Sequence, residues 1–117
     1  MIKKVKDILV KINPKTEYQV RPAIDKRAEN NEVISFHFFN ERYVLKGDGQ
    51  GRFIGSELQV DVFSTRPITD TKDKIMTELE KTNDFIFSYA DERVEDIKGE
   101  RLYHTIIQFT VKGVKNG

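Results

Sequence analysis

The sequence predicts an α+β fold, in which two packed helices cover an antiparallel sheet of about four strands that includes a long β-hairpin. Apolar residues recur every three or four positions in two segments and alternate with polar residues in several others, which is typical of helices and strands respectively. The predicted order is α-β-β-β-α-β, with a short extra strand before the last one as an alternative. At 117 residues the chain has the size of one domain, so residues 1–117 are treated as a single unit.

An amphipathic helix is predicted at the N-terminus. Lysines and one aspartate occupy its polar faces, and its apolar residues follow helical spacing. These apolar residues are Ile2, Val5, Ile8, Leu9 and Ile12. Asn13-Pro14 ends the helix, because proline cannot donate the helical hydrogen bond and disfavours helical angles at the residue before it. A short strand is expected over residues 18–24, where Pro22 favours an edge position.

A long hairpin is predicted next, because residues 33–45 and 53–65 both alternate between apolar and polar side chains. Glycines at alternate positions in the connecting segment tolerate positive φ, which predicts a tip longer than a tight two-residue turn. We expect this tip to order on contact with a partner and so to form a partner interface. It consists of Lys46, Gly47, Asp48, Gly49, Gln50, Gly51 and Arg52.

The second helix is predicted to begin after Pro67, where Thr69 or Asp70 can cap the free N–H groups. Its apolar stripe consists of Ile75, Met76 and Leu79. Asn83-Asp84 ends the helix, and Phe85, Phe87 and Tyr89 alternate as the start of a strand. An acidic segment and a turn around Lys98-Gly99 then lead to a closing strand over residues 101–113.

Charge is balanced over the whole chain but uneven along it. The net charge of +1, from 20 basic and 19 acidic residues, provides no field that would attract nucleic acid. Residues 1–16 carry five lysines against one aspartate, whereas residues 91–100 carry five acids against two basic residues. In a ring of identical subunits such patches can meet head to tail. The hypothesis pairs the basic side chains of one subunit with the acidic ones of the next: Lys3, Lys4 and Lys11 with Glu92, Glu95 and Asp96.

No residue pattern indicates a catalytic, metal or cofactor site. The absence of cysteine excludes disulfides, thiolate metal sites and cysteine nucleophiles. His37 and His104 lie in predicted strands without a partner at metal-ligand spacing, so we expect half-buried histidines on a sheet, with a cross-strand pair as the alternative. No serine lies in a nucleophile-elbow pattern.

Three segments resemble binding motifs without matching them. The acidic segment lacks the glycine-centred spacing of a calcium loop and is expected to be a solvated or partner-facing patch. The glycine-rich tip does not end in Lys-Ser/Thr or precede a helix, as a phosphate-binding loop must. Strand aromatics such as Phe36 and Phe38 can stack on bases, but without an RNA-binding motif they are expected to form the core.

The second half of the chain resembles phage tail-completion and tail-terminator proteins. The stretch SELQVDVFSTRPITDTKDKIMTELE has their strand of the form xVQIDxxA/S, followed by a short turn and an amphipathic helix, and residues 58–62 match that strand. The ending is similar too, with Phe85, Tyr89, Glu95-Asp96 and Tyr103-His104 leading into a hydrophobic strand. The resemblance covers residues 33–112, with departures at Phe63-Ser64 and in the glycine-rich tip.

The resemblance implies a structural subunit without catalytic activity or cofactor. Such subunits form a ring, commonly six-fold, on the last ring of the tail tube, where they stop tube growth and present a surface to the head connector. The implied partners are further copies of the chain, the major tail-tube protein and the head–tail connector, with nucleic acid involved only as DNA passing through the ring. No apolar run approaches the ~20 residues that span a bilayer, so no membrane partner is expected. The expected location is the host cytoplasm, and then the head-proximal end of the tail in the virion.

Other functions remain as alternatives. A head–tail adaptor or neck protein would have a similar size and ring symmetry. A nucleic-acid-binding module would use the aromatic side chains of the sheet and would show strong salt-dependent retention on DNA or RNA. A small enzyme would need a polar cluster that no motif in the sequence indicates.

Overall fold

A computed structural model describes the backbone of residues 1–24, 31–45, 51–97 and 99–112, and the side chains of these residues except 41–45, 51–55 and 97. The fold is α+β, as the sequence predicts. The elements in chain order are α1 (Ile2–Ile12), β1 (Thr16–Tyr18), β2 (Val33–Leu45), β3 (Gly51–Ser64), α2 (Thr71–Glu80), β4 (Phe85–Ile97) and β5 (Glu100–Val111).

The sheet differs in two ways from the predicted antiparallel sheet of about four strands. It has five strands in the order β1-β2-β3-β5-β4, and β1 pairs parallel to β2, with Thr16 opposite Ile34. The short strand also lies earlier than the predicted residues 18–24, because Gln19 leaves the strand with a φ of 65°. The strand preceding the last one is not short: β4 has 13 residues and pairs with β5 along its whole length.

The end of α1 ties the helix to the edge of the sheet through Asn13, which is buried. Its amide Nδ2 donates to the carbonyl of Glu32 at 2.6 Å, and its Oδ1 accepts the backbone N–H of Lys15 at 2.9 Å. The hydroxyl of Thr16 donates to the backbone carbonyl of Asn13 at 2.6 Å. The turn predicted at Asn13-Pro14 is thus fixed by side-chain bonds that position β1 beside β2.

The second helix begins after Asp70, one of the two predicted N-cap positions, but the Asp70 side chain does not make the predicted capping hydrogen bond. The hydroxyl of Thr71 instead donates to the carboxylate of Glu32, just before β2. The helix ends at Glu80, three residues before the predicted Asn83-Asp84, and Asn83 in the following turn adopts a φ of 62°, a conformation that asparagine tolerates better than most residues.

The hydrophobic core lies between the two helices and one side of the sheet. Val5 and Leu9 of α1 and Ile75 and Leu79 of α2 are fully buried against it. The sheet contributes alternate residues, as the pleat requires: Ile34, Phe36, Leu58, Val60, Val62, Phe85, Ile107, Phe109 and Val111. We call this the helix-facing side of the sheet and the opposite one the far side.

Two hairpins extend beyond the sheet at opposite ends of the molecule. Pairing between β3 and β5 runs only from Ser56 to Ser64, so the part of the β2–β3 hairpin beyond Ser56 is a two-stranded ribbon. The β4–β5 hairpin likewise continues past Tyr103 as a ribbon that β3 does not join. The molecule is correspondingly elongated, with extents of 56 × 28 × 21 Å.

Candidate functional site

The three lysines proposed for an inter-subunit contact all lie on α1. Lys3, Lys4 and Lys11 are exposed, as expected for the polar faces of an amphipathic helix. Lys4 forms an ion pair with Asp84, which lies just before β4. Lys3 and Lys11 form no ion pair with any residue that the structure describes. These two side chains are therefore the ones that can pair with a second molecule at no cost to an existing contact.

The three acidic residues proposed as their partners lie on β4, and each already has a contact within the chain. Glu92 lies 3.9 Å from Nζ of Lys72, and Asp96 lies 3.6 Å from Nε of Arg101. The carboxylates of both pairs are more than 60% exposed, and exposed pairs contribute about 0–1 kcal/mol. Glu92 and Asp96 can therefore exchange these partners for others at little cost.

Glu95 does not share a face with Glu92 and Asp96. Successive side chains of a strand point to opposite sides of the sheet, and the contact of Glu92 with Lys72 on α2 places Glu92 on the helix-facing side. Val94 and Asp96 follow on that same side, whereas Glu95 points to the far side and approaches His104. The predicted group of three acids is thus divided between two surfaces.

The predicted partner interface at the hairpin tip lies largely outside the described residues, which exclude 46–50. Gly51 and Arg52 are described for their backbone only. They begin β3 and pair with Leu45 and Val44 of β2. The β2–β3 hairpin that was predicted to carry the tip is therefore confirmed on both sides of it.

A row of hydrogen-bonded polar side chains crosses three strands on the far side of the sheet. Gln108 of β5 donates to Gln59 of β3 at 3.0 Å, and Gln59 donates to both carboxylate oxygens of Asp61 at 3.0 and 3.1 Å. Nε2 of His104 lies 2.8 Å from Asp61, and its Nδ1 lies 3.5 Å from Glu95 of β4. We call Gln108, Gln59, Asp61, His104 and Glu95 the polar row.

His104 is held at the centre of the polar row by its ring as well as its nitrogens. The ring of Phe63 stacks on the imidazole, with centroids 4.2 Å apart and planes 22° apart. The guanidinium of Arg21 lies 5.4 Å from the centroid of the Phe63 ring, within the range of a cation–π contact. The side chains of His104 and Asp61 are 13% and 8% exposed, so their contact is largely shielded from water.

The pKa of His104 is raised above its ordinary value by its two carboxylate neighbours. Burial disfavours the charged imidazolium and acts in the opposite direction. The hydrogen bond and the negative charge of Asp61, followed by those of Glu95, outweigh this burial effect. The polar row therefore favours the doubly protonated ring, which donates to a carboxylate through each of its nitrogens.

The polar row can join strands, but it does not form a recognisable reaction centre. Both ring nitrogens of His104 are directed at carboxylates, so neither is placed to accept a proton from a hydroxyl nucleophile. Within the described part of the chain, no group of three or more histidine, aspartate or glutamate residues is arranged to hold a metal ion. His37 lies opposite Gln59 of β3, whereas His104 lies opposite Phe63. The cross-strand histidine pair that was the alternative from the sequence is therefore not formed.

A cleft of about 360 Å³ lies on the surface between α1 and α2. Its apolar floor comes from Ile8 and Ile12, both half-buried, and its rim carries Lys11, Lys74 and Glu78. Glu78 pairs with Lys81 at 3.0 Å. Lys74, like Lys11, makes no ion pair within the described ranges. We call Ile8, Lys11, Ile12, Lys74 and Glu78 the helix cleft.

Sequence reasoning found the charged surface residues but not the polar row. The alternation of residues 58–62 places Gln59 and Asp61 together on one side of a strand, and the same holds for His104 and Gln108 in the closing strand. Polar residues at alternate positions of these two strands are the feature of the sequence that indicates a polar cluster on one side of the sheet. Their contact depends on the register of β3 against β5, which no local pattern specifies.

None of the helices in the described residues has the length and hydropathy needed to cross a membrane. Comparison of the chain with protein-family models and with curated proteins found no match.

Proposed function

We propose that the protein is a structural subunit of a long-tailed phage or prophage, a tail-completion or tail-terminator protein. In this role identical subunits form a ring, six-fold in the resembled family, on the last ring of the tail tube. The ring stops tube growth and joins the tail to the head connector. Its action consists of contacts between surfaces, with no bond made or broken.

The observation that carries this proposal is the presence of exposed opposite charges on two different elements of one subunit. The lysines of α1 lie on the helix layer, and the exposed acids Glu92 and Asp96 lie on the edge strand β4. A basic surface and an acidic surface at different places on one chain favour head-to-tail contacts, which generate a ring when the rotation closes.

The elongated shape supports separate contacts along the tail axis. The β2–β3 and β4–β5 ribbons extend from opposite ends of the sheet, so one subunit can reach two different neighbours. We assign the β2–β3 ribbon, which leads to the tip at residues 46–52, to the tail tube or the connector. Replacing residues 46–50 by a two-residue Asn-Gly turn should leave the fold intact and prevent head–tail joining. Normal joining by this variant would contradict the assignment.

Deletion of the gene from the phage or prophage that encodes this chain tests the proposal. Loss of a protein that stops tube growth should give tails of excessive and variable length without attached heads. Supplying the wild-type gene in trans should restore tails of uniform length on infectious particles. Electron microscopy of the lysate gives the tail-length distribution directly.

The same images separate this role from its nearest alternative. A head–tail adaptor or neck protein acts after the tail is complete, so its deletion should leave free tails of normal length beside full heads. Normal yields of infectious particles from the deletion strain would contradict both roles.

A further inference from the structure

We propose that the helix cleft is the docking site for the helix-facing side of β4 in a second copy of this chain. The proposal rests on the proposed function only for its premise that the chain associates with itself. It goes further by naming one groove, one occupant and the residues on each side.

The occupant surface is a stripe of three side chains on the helix-facing side of β4, Glu92, Val94 and Asp96, which we call the acidic stripe. Strand geometry places alternate residues about 7 Å apart on one side of the sheet. Val94 is 57% exposed, although valine is among the residues most often buried in proteins. An exposed apolar residue between two carboxylates has the composition of a contact centre with a polar rim.

The groove has the complementary composition. Ile8 and Ile12 provide an apolar floor, and Lys11 and Lys74 provide two ammonium groups without an ion-pair partner in the described part of the chain. The acidic group on its rim, Glu78, is already neutralised by Lys81. An apolar floor between lysines thus matches an apolar side chain between carboxylates.

The helix cleft and the acidic stripe have no residue in common. The helix cleft is formed by α1 and α2, whereas the acidic stripe lies on the edge strand β4. Each subunit can therefore offer its cleft to one neighbour and its stripe to another. The carboxylates can leave Lys72 and Arg101 at little cost, because both of these contacts are long and exposed.

A charge-exchange experiment tests the docking. The cleft variant is Lys11→Glu with Lys74→Glu, and the stripe variant is Glu92→Lys with Asp96→Lys. Sedimentation velocity of each at low salt should show self-association weakened by at least about tenfold, because like charges then face each other. An equimolar mixture should regain the assembly, since each altered surface meets an oppositely charged one, and the variant with all four changes should also regain it.

Matched controls separate docking from net charge and folding. The control variant is Lys15→Glu with Lys112→Glu, two exposed lysines outside the helix cleft. It changes the net charge by the same amount as the cleft variant and should associate as the wild type does. Circular dichroism should show the same helix and strand content for every variant. Val94→Asn, which changes no charge, should weaken association with all native lysines present, and this tests the apolar centre separately.

The other outcomes overturn the docking. Unchanged association of the cleft and stripe variants would place the contact elsewhere and leave the proposed function standing. If both variants associate more weakly but their mixture does not regain the assembly, the cleft does not pair with the acidic stripe. A wild-type chain that stays monomeric at every concentration would contradict the docking proposal. The tail-length phenotype of the gene deletion would still test the proposed function independently.

Discussion

Asp61 is a buried carboxylate on the far side of the sheet, and its surroundings explain why burial is tolerated there. Gln59 donates to both of its oxygens, and His104 lies 2.8 Å away. A buried charge is costly unless it is paired and hydrogen-bonded, and here both conditions are met. Because Glu95 approaches the other nitrogen of the same imidazole, one ring connects β3, β5 and β4.

The stability of the protein should therefore fall as the pH rises through the pKa of His104. That pKa is raised in the folded chain, so the stabilisation is fully present below the unfolded value of about 6.5 and is lost as the pH rises through the folded value. Urea titrations between about pH 5.5 and about pH 8.5 should show a decreasing free energy of unfolding for the wild type. His104→Gln should reduce this decrease.

His37→Gln is the matched control, because the His37 ring packs 5.9 Å from the Phe39 ring and contacts no carboxylate among the described residues. It should keep the pH dependence of the wild type. Identical pH dependence in the His104 variant and the wild type would mean that the polar row does not hold the charged ring.

The core residue Phe36 allows a second prediction at this scale. Its side chain is fully buried in the hydrophobic core, and its ring lies 5.3 Å from the Tyr18 ring. Phe36→Ala should lower the free energy of unfolding by about 3–5 kcal/mol, since it removes buried apolar surface and leaves a cavity. Chemical denaturation measures the change, and the exposed Val20→Ala should alter it by less than about 0.5 kcal/mol.

Among the elements, β1 depends most on a single backbone conformation. Its exit residue Gln19 has a φ of 65° while its N–H bonds to the carbonyl of Phe36 at 2.8 Å. A residue with a side chain is disfavoured in this region, and glycine is not. Gln19→Gly should therefore raise the free energy of unfolding by up to about 1 kcal/mol, whereas Gln19→Val should lower it. Thermal denaturation that placed both variants on the same side of the wild type would contradict this.

The sequence predicted the elements better than it predicted their pairing. Both helices and the long hairpin follow from apolar spacing and from Pro14, Pro67 and the glycines, which act locally. The parallel alignment of β1 with β2 did not follow, because it depends on Asn13 and Glu32 meeting across 19 residues. The length of β4 was underestimated because its charged second half does not alternate in hydrophobicity, yet it pairs fully with β5.

At the scale of the whole molecule, the fold combines a hydrophobic core with surfaces that differ in shape and charge. One side of the sheet is covered by helices, the two hairpin ribbons extend from opposite ends, and the exposed lysines and acids lie on different elements, α1 and β4. Of the predicted site residues, Lys3, Lys11, Glu92 and Asp96 are exposed on α1 and on the helix-facing side of β4, whereas Glu95 is half-buried and approaches His104. The sequence could not make this distinction, since it depends on which way each side chain of β4 points.

The position of the chain in the virion tests most directly whether it belongs to the end of a tail tube, as we propose. Antibodies against the chain, bound to purified particles of the phage or induced prophage that encodes it, should place gold label at the head-proximal end of the tail and nowhere else. Absence of the chain from those purified particles, or label distributed along the tail or on the head shell, would contradict the account.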